Sequence, residues 1–136
     1  MRAAGNLKLI CVVATGYNNI DIEEAKKRNI VVTNVKGYST GSVVQTVFGY
    51  ILVIMNSTAN TAHDMKKGLW QKSLVFTMLN HPFIELRGKN LGIIGYGTIG
   101  KRVAEIGKVF GMNILISESL QNSKSSPVRL PLKKLL

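Results

Sequence analysis

Cysteine is nearly missing from this chain. Cys11 is the single one among 136 residues, so no intrachain disulfide can form. Its neighbours Ile10, Val12 and Val13 read as a buried strand, and nothing beside it would turn the thiol into a reactive thiolate. A chain without disulfides suits the cytosol, and a cytoplasmic location is expected. Acidic residues are scarce as well: 7 stand against 18 Lys and Arg, giving a formal net charge of +11 and a pI near 10.1. Such an excess raises nucleic acid or an anionic membrane as partners. The distribution argues against both. Lys26-Lys27-Arg28, Lys66-Lys67 and Lys101-Arg102 lie apart, each on the polar face or end of a predicted helix, and no Arg-rich or aromatic-interleaved basic run occurs. No nucleic-acid partner and no membrane partner are expected. Long apolar runs are also lacking. Val43 to Met55 is the longest, is interrupted by Gln45 and Thr46, and is too short to span a bilayer. Met1 to Asn6 lacks the apolar core of a signal peptide. No metal site is expected.

What is present points to a globular α/β protein. Hydrophobic residues make up 46% of the chain and mean hydropathy is +0.15, which favours a packed core over disorder. The most informative stretch is Asn90 to Gly100. Leu91 to Ile94 reads as a buried strand and ends in Gly95, Gly97 and Gly100, spaced G-x-G-x-x-G. An amphipathic pattern from Ile99 to Phe110 predicts a helix, and the apolar run Met112 to Ile116 predicts a second strand that delivers Glu118. Strand, glycine turn, helix, strand, acid is the order a dinucleotide site needs. Gly95 turns the chain sharply, Gly97 clears space for a pyrophosphate, and Gly100 lets the helix pack close to the strand. The free N–H groups of the helix's first turn suit a diphosphate. Glu118 lies 18 residues beyond Gly100, near the ~20 expected for the acid that accepts the ribose hydroxyls.

Earlier segments form a similar unit. Asn6 to Thr15 reads as a buried strand and Thr15 to Asn19 as a loop. Asp21 or Asn19 caps a short helix with Glu23 and Glu24 in its first turn and Lys26 to Arg28 in its last, as the helix dipole favours. Asn29 ends it, and Ile30 to Thr33 is a β-branched strand. The alternation predicts parallel sheets. A long helix is expected over about 40–67, with Gly68 as its stop. Its Val43–Met55 half is apolar nearly all round and is expected to be buried between elements. Trp70 to Arg87 reads as irregular, Phe83 to Leu86 as a short extended piece, Gln121 to Pro127 as a polar loop, and Pro131 to Leu136 as the first turn of a helix.

With these segments placed, the chain resembles the D-isomer-specific 2-hydroxyacid dehydrogenases, most closely their glycerate dehydrogenase or hydroxypyruvate reductase branch. Leu7-Lys8-Leu9-Ile10 through Ala14-Thr15-Gly16-Tyr17-Asn18-Asn19-Ile20-Asp21 is similar to the family's substrate-domain strand and loop. Asn34 to Thr40 resembles its crossing segment, and Gly68-Leu69-Trp70 and Glu85 to Lys89 precede the glycine turn as they do in the family. The resemblance implies parallel-sheet portions of two Rossmann-like domains. Residues 1–38 correspond to the tail of a flavodoxin-like substrate domain, and residues 39–136 to the start of the NAD-binding domain. It implies NAD as cofactor, with the pyrophosphate on the backbone of Thr98 and Ile99 and the adenosine ribose on Glu118. It implies a small 2-oxo or 2-hydroxy acid as substrate, its carboxylate met by backbone N–H groups at Thr15 and Gly16, and a homodimer. The reaction implied is hydride transfer between nicotinamide and the C2 carbon of the acid. The family's catalytic Arg, Glu and His match no residue here, so no catalytic residue is assigned, and an internal portion of a longer enzyme is expected. His63 and His81 read as surface residues. Gly41 stands where an acidic residue often opens the family's long helix.

Overall fold

A computed structural model describes residues 4–119 and 129–136. The polar stretch from Gln121 to Pro127 and the start Met1 to Ala3 lie outside the described residues. The chain divides into two compact units, Met1–Ser39 and Thr40–Leu136.

In the first unit, β1 (Leu9–Val12) and β2 (Val31–Asn34) pair in parallel with Leu9 opposite Val31. The helix α1 (Ile22–Lys27) joins them. Asp21 caps it: the Glu24 N–H donates to Asp21 Oδ1 at 2.9 Å. Asn29 then takes a left-handed conformation, φ 53°, which stops the helix and aims the chain into β2. Ala25 and Ile30 are buried here. The strand is shorter than expected and is not buried. β1 alternates exposed and half-buried residues, and Cys11 is exposed. The apolar run made β1 a strand, but one face of this pair is left uncovered by the described residues.

The second unit begins with α2 (Thr40–Met55) and α3 (Thr58–Lys66) in place of the single long helix. The two are bent by 61°. The break has a cause in contacts with a remote segment. Ser57 adopts φ 48°, its hydroxyl donates to the Pro82 carbonyl at 2.8 Å, and the Ile84 N–H donates to the Met55 carbonyl at 2.9 Å. A partner more than twenty residues away thus takes the Met55 carbonyl that would have accepted the next helical N–H, and the Ser57 hydroxyl anchors the turn. Phe83 to Leu86, read as extended, forms no strand. Gly68, with φ 69°, follows the end of α3 as expected. No single helix among the described residues is long and apolar enough to cross a membrane.

Next come β3 (Asn90–Ile93), α4 (Thr98–Val109) and β4 (Asn113–Ile116), with β3 and β4 parallel and Asn90 opposite Asn113. A final short helix, α5 (Leu132–Leu135), closes the described chain. The core forms where α2 crosses α4 over β3: Val44, Phe48, Ile93, Val103 and Ala104 are buried together. The Phe48 ring stacks on Phe110 with centroids 5.4 Å apart. Val44 and Phe48 are four apart, so they form one stripe of α2. Only that stripe is buried; Tyr50 and Ile54 are 67% and 72% exposed. Full burial of Val43–Met55 was expected from its all-round apolarity, but α2 meets a neighbour on one side alone. Within β3, only Ile93 is buried, since the described sheet has two strands.

Candidate functional site

The glycine turn connects the end of β3 to the start of α4. Gly95 lies at φ +93°, a conformation that side chains rarely adopt. Gly97 is the N-cap of α4 in extended conformation, and no side chain caps the helix. The first helical bond runs from the Lys101 N–H to the Gly97 carbonyl, 2.9 Å, so the N–H groups of Thr98, Ile99 and Gly100 have no partner inside the helix. The first turn carries no acid. Its positive end is therefore unanswered by a cap or a first-turn acid among the described residues.

The remaining two motif glycines do different work. A β carbon on Gly100 would stand 2.2 Å from the Gly95 carbonyl oxygen. This contact is what lets the helix start so close to the strand. A β carbon on Gly97 would meet nothing within 4 Å. The space above Gly97 is open, as a cradle for a pyrophosphate requires. Gly107, unnoticed in the sequence, serves packing: its β carbon would lie 2.8 Å from Leu91 Cδ2 and 2.9 Å from Ile114 Cδ1.

A cavity of about 490 Å³ opens beside this turn, walled by Ile94 to Gly97, by Ser117 to Ser119 at the end of β4, and by Arg129. The structure thus brings Gly95, Gly97 and Glu118 to one space. Thr98, Ile99 and Gly100 belong to α4 and do not wall it. Glu118 is half-buried. Its backbone is fixed, with its N–H donating to the Leu130 carbonyl at 2.9 Å and its carbonyl accepting from Ser117 Oγ at 3.1 Å. Leu130 forms a parallel bridge with Ser117, and this return of the chain carries Arg129 to the cavity. Sequence reading missed Arg129 because no local pattern marks it; a pairing across the sheet puts it there.

Thr15 and Gly16 lie in the first unit, away from these residues in the chain. The Thr15 hydroxyl donates to the Val35 carbonyl at 3.0 Å, and its carbonyl accepts from Asn34 Nδ2 at 2.8 Å. The loop is thereby tied to the end of β2. A β carbon on Gly16 would meet only Asn18 Oδ1, at an ordinary 3.8 Å, so folding itself does not demand glycine there.

Of the two histidines, His63 is exposed but His81 is not a simple surface residue. Its Nε2 lies 2.8 Å from Asp64 Oδ2, and the side chains are 25% and 16% exposed. That hydrogen bond holds the Asp64 carboxyl below its ordinary value. The pair ties α3 to the loop after it, which the spacing of the two residues did not reveal. Neither histidine walls the cavity at the glycine turn. Among the described residues no three of His, Cys, Asp and Glu gather as a metal ion would need.

Parallel strands, a glycine turn, an uncapped helix and an acid at the next strand's end define the class: an α/β protein with a Rossmann-type βαβ unit. Residues 1–122 match the family of D-isomer specific 2-hydroxyacid dehydrogenase catalytic domains. The chain belongs to the D-isomer-specific 2-hydroxyacid dehydrogenase family. It is 36% identical to a hydroxypyruvate reductase of Blautia hydrogenotrophica over 86% of this chain and 36% of that protein. It is 40% identical to a glyoxylate reductase of Thermococcus litoralis over 82% of this chain and 34% of that protein. Among solved structures, D-lactate dehydrogenase of Aquifex aeolicus, complexed with NAD and lactic acid, superimposes with a TM-score of 0.66 at 34% identity, covering 86% of this chain and 34% of that one. The chain spans about a third of the length of these relatives.

Proposed function

We propose that this chain binds NAD at the glycine turn and serves an oxidoreductase that interconverts small 2-oxo and D-2-hydroxy acids of the hydroxypyruvate and glyoxylate kind. The observation that carries the reading is the cavity that joins Gly95, Gly97 and Glu118 beside the uncapped start of α4. The pyrophosphate rests over Gly97 against the N–H groups of Thr98 and Ile99, where the helix dipole favours its charge. Gly100 holds that helix start against Gly95. Glu118 accepts the adenosine ribose hydroxyls. When bound, the dinucleotide supplies the hydride for the C2 carbon of the acid. In the first unit, residues 1–38 by this reading, the backbone N–H groups at Thr15 and Gly16 meet the substrate carboxylate, on a loop already tied to β2. Residues 39–136 supply the cofactor side. No acid/base is assigned to any described residue.

Two further features support the family picture. The exposed free thiol of Cys11 suits a reducing, cytoplasmic compartment. The exposed apolar side chains of α2, Tyr50, Val53 and Ile54, suit contact with a second copy of the chain.

Titration of the purified 136-residue chain with NADH, followed by cofactor fluorescence, tests the reading. Weak saturable binding is expected, lost in Glu118→Ala. Absence of binding at millimolar cofactor would refute it.

A further inference from the structure

The loop that follows α3 has both of its ends on one residue. At its start the helix closes in a paired turn. The Leu69 N–H donates to the Asp64 carbonyl at 3.1 Å and the Gly68 N–H to the Met65 carbonyl at 3.0 Å, with Gly68 at φ 69°, the pattern that satisfies the last carbonyls of a helix. At the loop's end the Asp64 carboxylate pairs with His81 Nε2 at 2.8 Å and also accepts from the Asn80 side chain. Asp64 therefore fastens Leu69 by its backbone, and Asn80 and His81 by its side chain. Between these points residues 70–79 form neither helix nor strand. Trp70 Nε1 donates to the Phe76 carbonyl at 3.2 Å, and Ser73 Oγ to the Thr77 carbonyl at 3.2 Å. A loop whose ends meet and whose own groups tie its interior is an Ω loop.

The loop does not pack closely on the helix it arches over. A cavity of about 200 Å³ lies between them, walled by Thr61 and Met65 of α3 and by Trp70, Phe76, Thr77 and Met78 of the loop. Leu74, Phe76 and Leu79 are 103%, 92% and 79% exposed, so little apolar burial holds the loop down. The hydrogen bonds at Asp64 hold it instead, between side chains that are themselves mostly buried. Beyond His81 the chain is fastened separately, Pro82 by Ser57 and Ile84 by Met55. Motion of the loop therefore stops at His81. We propose that residues 69–81 are a lid over this cavity that opens and closes as one unit, with Asp64 as its clasp. Segments with few buried apolar contacts open first, and as contiguous units. Opening bares Thr61 and Met65 on α3 and leaves the cluster around Phe48 and Val103 in place. The lid uses no residue of the glycine turn.

Amide hydrogen exchange of the full chain tests this, with acrylamide quenching of Trp70, the single tryptophan, as a second readout. Asp64→Asn keeps the side-chain size and the backbone bond to Leu69 but removes the charge. The Lys72, Ser73 and Val75 N–H groups all donate within the loop. In Asp64→Asn they should exchange about tenfold faster and by a common factor, the scale of one charge-assisted hydrogen bond. The Asn113 and Ser117 N–H groups, which donate to Lys89 and Ile93 at the two ends of the β3–β4 pair, should change by less than about twofold, because the core does not open with the lid. Trp70 should become easier to quench. His81→Ala should have the same effect, and the double variant should be no faster than the faster single one, since both remove one clasp. Loop amides at wild-type rates in both variants, loop amides that accelerate by unrelated factors, or an equal acceleration of Asn113 and Ser117 would each overturn the lid.

Discussion

Each unit joins two parallel strands through a helix, and the two helices begin in opposite ways. At the start of α1, Asp21 accepts the Glu24 N–H at 2.9 Å, and Glu23 and Glu24 add negative charge in the first turn. That helix dipole is answered by the chain's own side chains. At the start of α4 there is a glycine, no capping side chain and no acid. The same partial positive charge is left for something else to satisfy. The surroundings differ in the same sense. In the second unit Gly100 brings the helix start against the Gly95 carbonyl, and a buried cluster of Val44, Phe48, Ile93, Val103 and Ala104 holds it there. In the first unit, only Ala25 and Ile30 are buried among the described residues. Self-capping closes a helix start with the chain's own groups, whereas the uncapped start of α4, on a firm base, leaves its first-turn N–H groups open.

The strongest test breaks the base. Gly100→Ala puts a methyl 2.2 Å from a backbone oxygen, which cannot swing aside as a side-chain end would. A loss of about 3 kcal/mol is expected from such overpacking, read as a lower urea midpoint, and NADH binding should fall with it. A midpoint unchanged by the substitution would mean that the turn opens freely and that its geometry does not matter.

Exchanging the two helix starts is the sharper test. Gly97→Asp places a capping acid in open space, at an extended N-cap position. It should stabilise the chain by about 1 kcal/mol while abolishing NADH binding, because the carboxylate occupies the anion's place. Asp21→Ala should cost about 1 kcal/mol and leave NADH affinity unchanged. Retained binding in Gly97→Asp would remove the contrast between the units.

The smallest effect concerns Asp64, whose carboxyl is held below its ordinary value of 3.8 by the His81 hydrogen bond. A lowered carboxyl value means a stabilising contribution present above 3.8 that is lost as pH falls through the lowered value. The gap in urea midpoint between wild type and Asp64→Asn should therefore be open at about pH 6 and narrow toward about pH 3. A gap that stays constant over this range would show that the pair contributes nothing through charge.

Much of this was legible in residue order. The cap at Asp21, the stop at Asn29, both pairs of strands and the glycine turn all follow from groups within a few residues of one another. Cys11, α2, His81 and Arg129 were not legible. An apolar run shows that a strand or helix forms, but whether it is buried depends on what packs against it. Cys11 and Ile54 sit on faces that no described residue covers. The bend at Ser57 depends on Pro82 and Ile84, and the histidine pair on a loop returning to α3.

By itself the sequence determined the local constructions: the presence and order of the four strands, the cap at Asp21, the stop at Asn29, and a G-x-G-x-x-G turn leading to an acid. These depend on backbone sterics, helix capping and side-chain period, which act over a few residues. Only the tertiary structure decided which side chains share the cavity. The Leu130–Ser117 bridge brings Arg129 beside Glu118, and the contact of α2 with α4 buries one stripe of α2 and leaves the other exposed. Burial and charge pairing are properties of neighbours in space, and for these residues the deciding neighbours are remote in the chain.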